Sequence, residues 1–270
     1  MVIVCLTQGA RMTTEEILEL LHDVAARVIT PRFRALTAGE IDEKTPGDYV
    51  TIADREAALA IAEQLRFAYP DAFVVGEEAA FTNPGLMAAL PEAPHAFVID
   101  PVDGTRNFVN GNPDHAVMLA ELKAGEVVRG WIVQPEYGAS YVVERGAGVT
   151  RNGELLRPVS RTGLPRVESS SRRDLGALAH RADWPIGRTR FCCGTDYPRL
   201  LTGDVEALVY RNPKPWDHAA GALMMTELGA VARLLDGTTY APGVPHGVLL
   251  SAASPEAWQA VADAIGADPQ

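Results

Sequence analysis

Cysteine is scarce in this 270-residue chain: Cys5, Cys192 and Cys193 form an odd set with two neighbours and no CxxC spacing. Such a set builds neither a disulfide framework nor a zinc ribbon, and it fits a reducing compartment. Long apolar runs are missing too, since no stretch approaches the roughly 18 residues of a membrane span. The N-terminal run Val2 to Leu6 is too short for a secretory signal, and Arg11 follows it where a signal would need a base in front. The expected location is the cytoplasm. Basic residues are outnumbered, 24 Lys and Arg against 35 Asp and Glu, for a formal charge of −11. So acidic a chain gains nothing from nucleic acid or an anionic membrane, and neither is expected as a partner. The patterns GxxxxGK(S/T), GxGxxG after a strand, HExxH and GxSxG are absent, the six histidines are scattered, and there is no internal repeat or low-complexity tract.

What the chain does have is acid placed where strands stop. The apolar run Ala96-Phe97-Val98-Ile99 reads as a buried strand and leads into Asp100-Pro101-Val102-Asp103-Gly104-Thr105. Pro101 keeps Asp100 extended and Gly104 lets the backbone turn back with positive φ, so the two carboxylates can converge. Carboxylates held that close repel unless a cation lies between them, and hard oxygen donors favour Mg²⁺, Mn²⁺ or Ca²⁺ over zinc. Taken alone, the hexapeptide is equally an acidic surface turn.

Three further acidic stretches are Asp48-Tyr49-Val50-Thr51-Ile52-Ala53-Asp54, Gly76-Glu77-Glu78 and Trp216-Asp217-His218-Ala219-Ala220-Gly221. Each has a plain structural account. Asp54 can cap a helix from Arg55 to about Tyr69, Glu77 and Glu78 can lie in a solvated loop, and Asp217 can favour the dipole of a helix from Trp216 to Leu228. Trp216 reads as a buried anchor for that helix and His218 as a solvated residue at its start.

The rest of the chain supplies a frame. Ile17, Leu18, Leu21, Val24 and Val28 recur with helical period, predicting a helix from Thr14 to about Leu36, disturbed at Pro31. Met12-Thr13-Thr14-Glu15-Glu16 resembles a second start with its own cap, and residues 1 to 11 are expected to be unstructured. Thr37 to Gly47, with Lys44 inside it, reads as a mobile loop, and Ala79 to Pro94 as a loop with a helical piece at 86–90. Short strands at 73–75, 116–122, 127–133, 139–143 and 149–150, then Asn152-Gly153, predict an antiparallel meander ending in a tight hairpin. From about Val159 strands and helices alternate: strand 166–169, helix 174–181, strand 190–193, helix 197–202, strand 207–210, strand 248–251 and helix 255–265. A division into 1–158 and 159–270 is expected.

In order and spacing, the four acidic motifs resemble those of the inositol monophosphatase family of Mg²⁺-dependent, lithium-sensitive phosphatases, from about Thr14 to the last helix. The resemblance implies an α+β, layered αβαβα sandwich of the inositol monophosphatase / fructose bisphosphatase type. It implies two or three Mg²⁺ per site. Asp100 would bridge two metals, Glu77 and the Val102 carbonyl would complete one site, and Asp103 with Asp217 the other. Glu77, Thr105 and Asp54 would serve the attacking water, and Asp103, Gly104, Thr105, Gly194 and Thr195 would hold substrate. The implied activity is hydrolysis of a small phosphorylated metabolite by metal-activated water, in a homodimer as is usual for the family.

This chain departs from the family where the alcohol is read. Members acting on inositol phosphate carry an acid shortly before the Trp-Asp pair; here Tyr210-Arg211-Asn212-Pro213-Lys214-Pro215 stands there, and Asp196 follows Gly194-Thr195 in place of a small residue. Fructose 1,6-bisphosphate, histidinol phosphate or a nucleotide 3′-phosphate therefore stand beside inositol phosphate. Arg211 is a candidate for gripping a second anionic group through two parallel hydrogen bonds, the alternative being long-range charge balance. A non-catalytic interaction protein on the same fold would have let an acidic position erode, and all are intact.

Overall fold

A computed structural model describes residues 9, 11–158, 165–181, 183–243 and 246–266. The expectations for Cys5 and the Val2 to Leu6 run lie outside these residues, as does the leader through residue 8. Thr13 caps α1 (Thr14–Val24), accepting the Glu16 N–H while the Glu16 carboxylate accepts the Thr13 N–H. The helix is shorter than its period suggested: a π turn over Ala25–Ile29 and a 3₁₀ turn over Thr30–Arg32 follow, because Pro31 has no N–H to continue the ladder.

The stretch read as a mobile loop is a hairpin instead. β1 (Ile41–Thr45) pairs antiparallel with β2 (Asp48–Thr51), and the turn uses Gly47 at φ 84°. β1 is polar, and β2 offers only Tyr49-Val50 as an apolar pair, which hid the β pattern. α2 (Ile52–Ala68) is capped by Thr51, not by Asp54. Asp54 is the third helical residue, and its Oδ2 accepts the Thr51 N–H at 2.8 Å and the Thr51 hydroxyl at 2.5 Å.

Next come β3 (Phe73–Gly76), α3 (Glu77–Thr82), α4 (Gly85–Ala89), β4 (His95–Asp103) and α5 (Thr105–Val109). The predicted meander follows as β5 (Ala116–Lys123), β6 (Glu126–Gln134), β7 (Ala139–Glu144), β8 (Gly148–Arg151) and β9 (Glu154–Leu155). These strands form one seven-stranded sheet in order β3-β4-β5-β6-β7-β8-β9, antiparallel except for β3 on β4. Asn152 and Gly153 both have positive φ, as a two-residue hairpin turn demands.

The remaining elements are β10 (Val167–Ser169), α6 (Arg172–Leu178), β11 (Ile186–Arg188), α7 (Cys193–Leu201), β12 (Ala207–Arg211), α8 (Pro215–Glu227), β13 (Val231–Leu234), β14 (Val248–Ala252) and α9 (Pro255–Gly266). Their sheet runs β11-β10-β12-β14-β13. The strand expected at 190–193 is absent: Phe191 has φ 57°, which ends extended structure, and Gly194-Thr195 lie in the first turn of α7. β13 escaped the sequence reading because exposed Arg233 interrupts a four-residue run.

Period-two alternation splits the seven-stranded sheet between two cores. Phe97, Ile99, Val117, Leu119 and Trp131 meet Ile17, Leu21, Ile61 and Leu65 of α1 and α2. On the other face Val98, Met118, Ile132 and Tyr141 meet Tyr197, Ala219 and Leu223 of α7 and α8, which also cover Leu208 and Leu249 of the second sheet. That sheet's outer face packs Val209 and Leu250 against Leu178, Trp258 and Val261. The result is α+β in five layers, αβαβα. Among the described residues no helix is long and apolar enough to cross a membrane.

Candidate metal and phosphate site

The ladder between β4 and β5 breaks between Asp100 and Asp103, lifting the end of β4 out of regular pairing. Gly104 then takes φ 80° as the N-cap of α5. A Cβ there would lie 2.8 Å from the Asp114 carbonyl and 3.0 Å from Cys192 Cβ, so both conformation and space require glycine. Asp217 arrives from the first turn of α8. Asp100, Asp103 and Asp217 thereby offer oxygens that all lie within 4.8 Å of one another.

These acids are unfavourable neighbours without a cation. Burial, followed by the charges of Glu77, Asp103 and Asp217, raises the Asp100 pKa well above the carboxylate range. Asp103 is pushed up to about 7, again chiefly by burial, although the Gly194 N–H at 2.5 Å and the Cys192 thiol at 3.1 Å donate to its Oδ2. Asp217 is raised by burial and then by Asp103 and Glu77. An all-oxygen donor set that repels itself, with Asp100 and Asp103 buried and Asp217 partly so, fits a hard divalent cation.

Beside it, Asp54 Oδ1 lies 3.1 Å from the Thr105 hydroxyl, which is also 3.0 Å from the Val102 carbonyl. Burial raises Asp54 to about 7. Glu77 opens α3 at the end of β3, and its Oε1 is 2.6 Å from Lys44 Nζ; Glu78 Oε1 is 3.1 Å from the same ammonium. The Lys44 side chain is only 6% exposed. Burial opposes its charge, yet Glu77 and Glu78 raise its pKa on balance. Composition alone had placed Lys44 in a loop and carried no signal for this contact.

Other expected residues have prior engagements. The Gly194 N–H is given to Asp103 and its carbonyl accepts from Gln134, while the buried Thr195 hydroxyl has no partner among the described residues. Arg211 grips Asp174 through Nε and Nη2, and Asp174 is fully buried. The hydroxyl of Tyr210 donates to Asp196, whose other oxygen accepts the Arg190 N–H at 2.9 Å. His218, expected to be solvated, is instead 2% exposed, because α8 is a central helix packed between the two sheets. Trp216 is buried as expected.

The profile of the inositol monophosphatase family matches residues 12–266. A Thermotoga maritima fructose-1,6-bisphosphatase/inositol-1-monophosphatase is 30% identical over 208 residues, covering 74% of this chain and 78% of its own. The Nus factor SuhB of Pseudomonas aeruginosa is 29% identical over 228 residues, covering 79% and 82%. In three dimensions the chain superposes on an IMPase/NADP phosphatase complexed with Mg²⁺ and phosphate with a TM-score of 0.79, at 22% identity, over 95% of this chain and 97% of the other. On the family profile, which spans nearly the whole chain, and on the matching five-layer fold, this chain belongs to the inositol monophosphatase family.

Proposed function

We propose that the chain hydrolyses phosphate monoesters of a small metabolite with Mg²⁺, and the observation that carries this is the convergence of Asp100, Asp103 and Asp217 within 4.8 Å. Glu77, Asp100, the Val102 carbonyl, Asp103 and Asp217 would hold two or three ions. Bound Mg²⁺ supplies charge that offsets the phosphate and makes water a better nucleophile. The chain's own part is positioning. Thr105 and Asp54, hydrogen-bonded to each other, would orient the attacking water and take its proton together with Glu77. The Gly104 and Thr105 N–H groups at the start of α5 would hold phosphate oxygens. For Glu77 to join, Lys44 must let it go.

The stretch Tyr210 to Pro215 stands where inositol-reading members carry an acid, and Asp196, bonded to Tyr210, stands where they carry a small residue. That favours a leaving alcohol other than inositol, with fructose 1,6-bisphosphate, histidinol phosphate and nucleotide 3′-phosphates as the candidates. A cytoplasmic homodimer, with residues 1–158 and 159–270 as its two lobes, completes the reading. The relative named a Nus factor favours a second reading, a non-catalytic interaction protein, but that role does not require self-repelling buried acids. Phosphate release across a substrate panel, with Mg²⁺ and with excess chelator, decides between them. Metal-dependent release that Asp100→Asn abolishes in a folded protein is expected; no release from any substrate by folded wild type would leave the interaction reading.

A further inference from the structure

Asp217 belongs to two groups at once. Besides the oxygen cluster, it lies with Cys193 and His218 in a set whose ligand atoms are all within 4.8 Å of one another. The sulfur is 4.0 Å from each ring nitrogen of His218, so it rests against the imidazole, and a rotation of the ring would bring Nε2 to the ~3.6 Å that separates sulfur and nitrogen around a tetrahedral zinc. Cys193 and His218 are 4% and 2% exposed. The Tyr197 hydroxyl is 3.1 Å from His218 Nδ1, an outer contact of the kind that orients a ligating imidazole and leaves Nε2 for a metal. Tyr240 packs its ring 6.3 Å from that of His218, and its buried hydroxyl has no partner among the described residues. A buried polar cluster with an unsatisfied hydroxyl beside it is built to receive something.

We propose that Cys193, Asp217 and His218 form a second, softer cation site that takes Zn²⁺ or Co²⁺ through sulfur, oxygen and nitrogen, and that filling it withdraws Asp217 from Mg²⁺. A thiolate selects such borderline metals over Mg²⁺, which the all-oxygen cluster prefers. Charge also closes: the dication, one thiolate, one carboxylate and a neutral imidazole sum to zero, which a buried site tolerates. On binding, the sulfur–hydrogen bond breaks, a sulfur–metal bond forms, and the proton leaves to solvent.

The test is a Co²⁺ titration of the full-length protein in excess Mg²⁺, followed by absorbance. A thiolate-to-cobalt charge-transfer band in the near ultraviolet, saturating at one equivalent, is expected in wild type and absent in Cys193→Ser. Zinc retained after dialysis should fall from one equivalent to none in the same variant. Inhibition of the Mg²⁺-dependent reaction by Zn²⁺ should weaken at least about tenfold while the zinc-free rate is kept, as expected when a ligand is lost. Unchanged melting and circular dichroism would show that the variant is folded. Cobalt binding without the band, a band that survives in Cys193→Ser, or unchanged zinc retention would each overturn the site. The spectrum and the metal content read binding directly, so their failure is distinct from failure of the phosphatase reading.

Discussion

Asp103 shows how one residue's environment becomes a measurable property. Its folded-state pKa of about 7 lies above the ordinary 3.8, so folding takes up a proton. The metal-free protein therefore has the full benefit below the ordinary value and loses it as pH rises through about 7. Asparagine does not titrate. Asp103→Asn should give no gain in melting temperature near pH 4, and a gain of a few degrees over metal-free wild type by about pH 8. Excess Mg²⁺ should restore the wild type's advantage. A difference that does not vary with pH would mean that burial does not raise the Asp103 carboxyl in the folded protein. Arg211 yields a different expectation from the one its sequence position suggests. Its guanidinium is the partner of buried Asp174, so Arg211→Ala strands a carboxylate inside the protein. A loss of about 2–4 kcal/mol in denaturant unfolding is expected. A stable Arg211→Ala protein with a raised KM only for doubly anionic substrates would return the residue to substrate binding.

At the scale of elements, the site depends on how closely α8 approaches its neighbours. A Cβ at Gly221 would stand 2.3 Å from the Tyr197 ring, and one at Gly130 would stand 2.9 Å from Ala220, so α8 meets α7 through its own glycine and β6 through the strand's. Gly221→Ala should cost about 1–3 kcal/mol or more through overpacking, and should reduce metal affinity because α8 carries Asp217. Full stability together with full metal affinity would contradict that packing. The β1–β2 hairpin makes the opposite kind of contribution, since it delivers a cation into an acidic site. With Lys44→Met, Glu77 and Glu78 lose their counter-charge, so the metal-free protein should melt lower and the rise on adding Mg²⁺ should exceed that of wild type. An equal or smaller rise, read by differential scanning calorimetry, would show that Lys44 does not compete with the divalent ion for Glu77.

For the whole molecule, the N-terminal edge has, among the described residues, a single backbone tie at Gly9, whose N–H donates to the Phe67 carbonyl at 3.2 Å, and is held by several bonds from Met12 onward. Tyr69 bonds both the N–H and the carbonyl of Met12 at 2.9 Å, and Arg129 reaches that carbonyl at 3.2 Å. Removing residues 1–11 should therefore shift stability by less than about 1 kcal/mol, whereas removing 1–14 deletes the Thr13 cap and these ties and should cost about 2 kcal/mol or more. Unfolding curves of the two truncations check this, and equal losses would place the anchor earlier in the chain.

Local chemistry was legible from residue types. Asp-Pro, Asp-Gly and Asn-Gly turns, the Thr-x-x-Glu cap at Thr13 and the period-two runs of the meander act within a few residues, so the sequence by itself determined the break at Asp100–Asp103, most strands of the larger sheet and the start of α1. Short strands such as polar β1 and the four-residue β13 lacked that signal because their stability comes from pairing. Only tertiary structure decided which acids share a cation, because Asp217 lies over a hundred residues from Asp100 and was placed with it only by family resemblance. It also decided that Lys44 faces Glu77, that Arg211 answers Asp174 and that His218 is enclosed with Cys193. Burial and charge pairing are properties of the packed layers: a side chain's partner is whatever the neighbouring layer brings to it, and no local pattern encodes that.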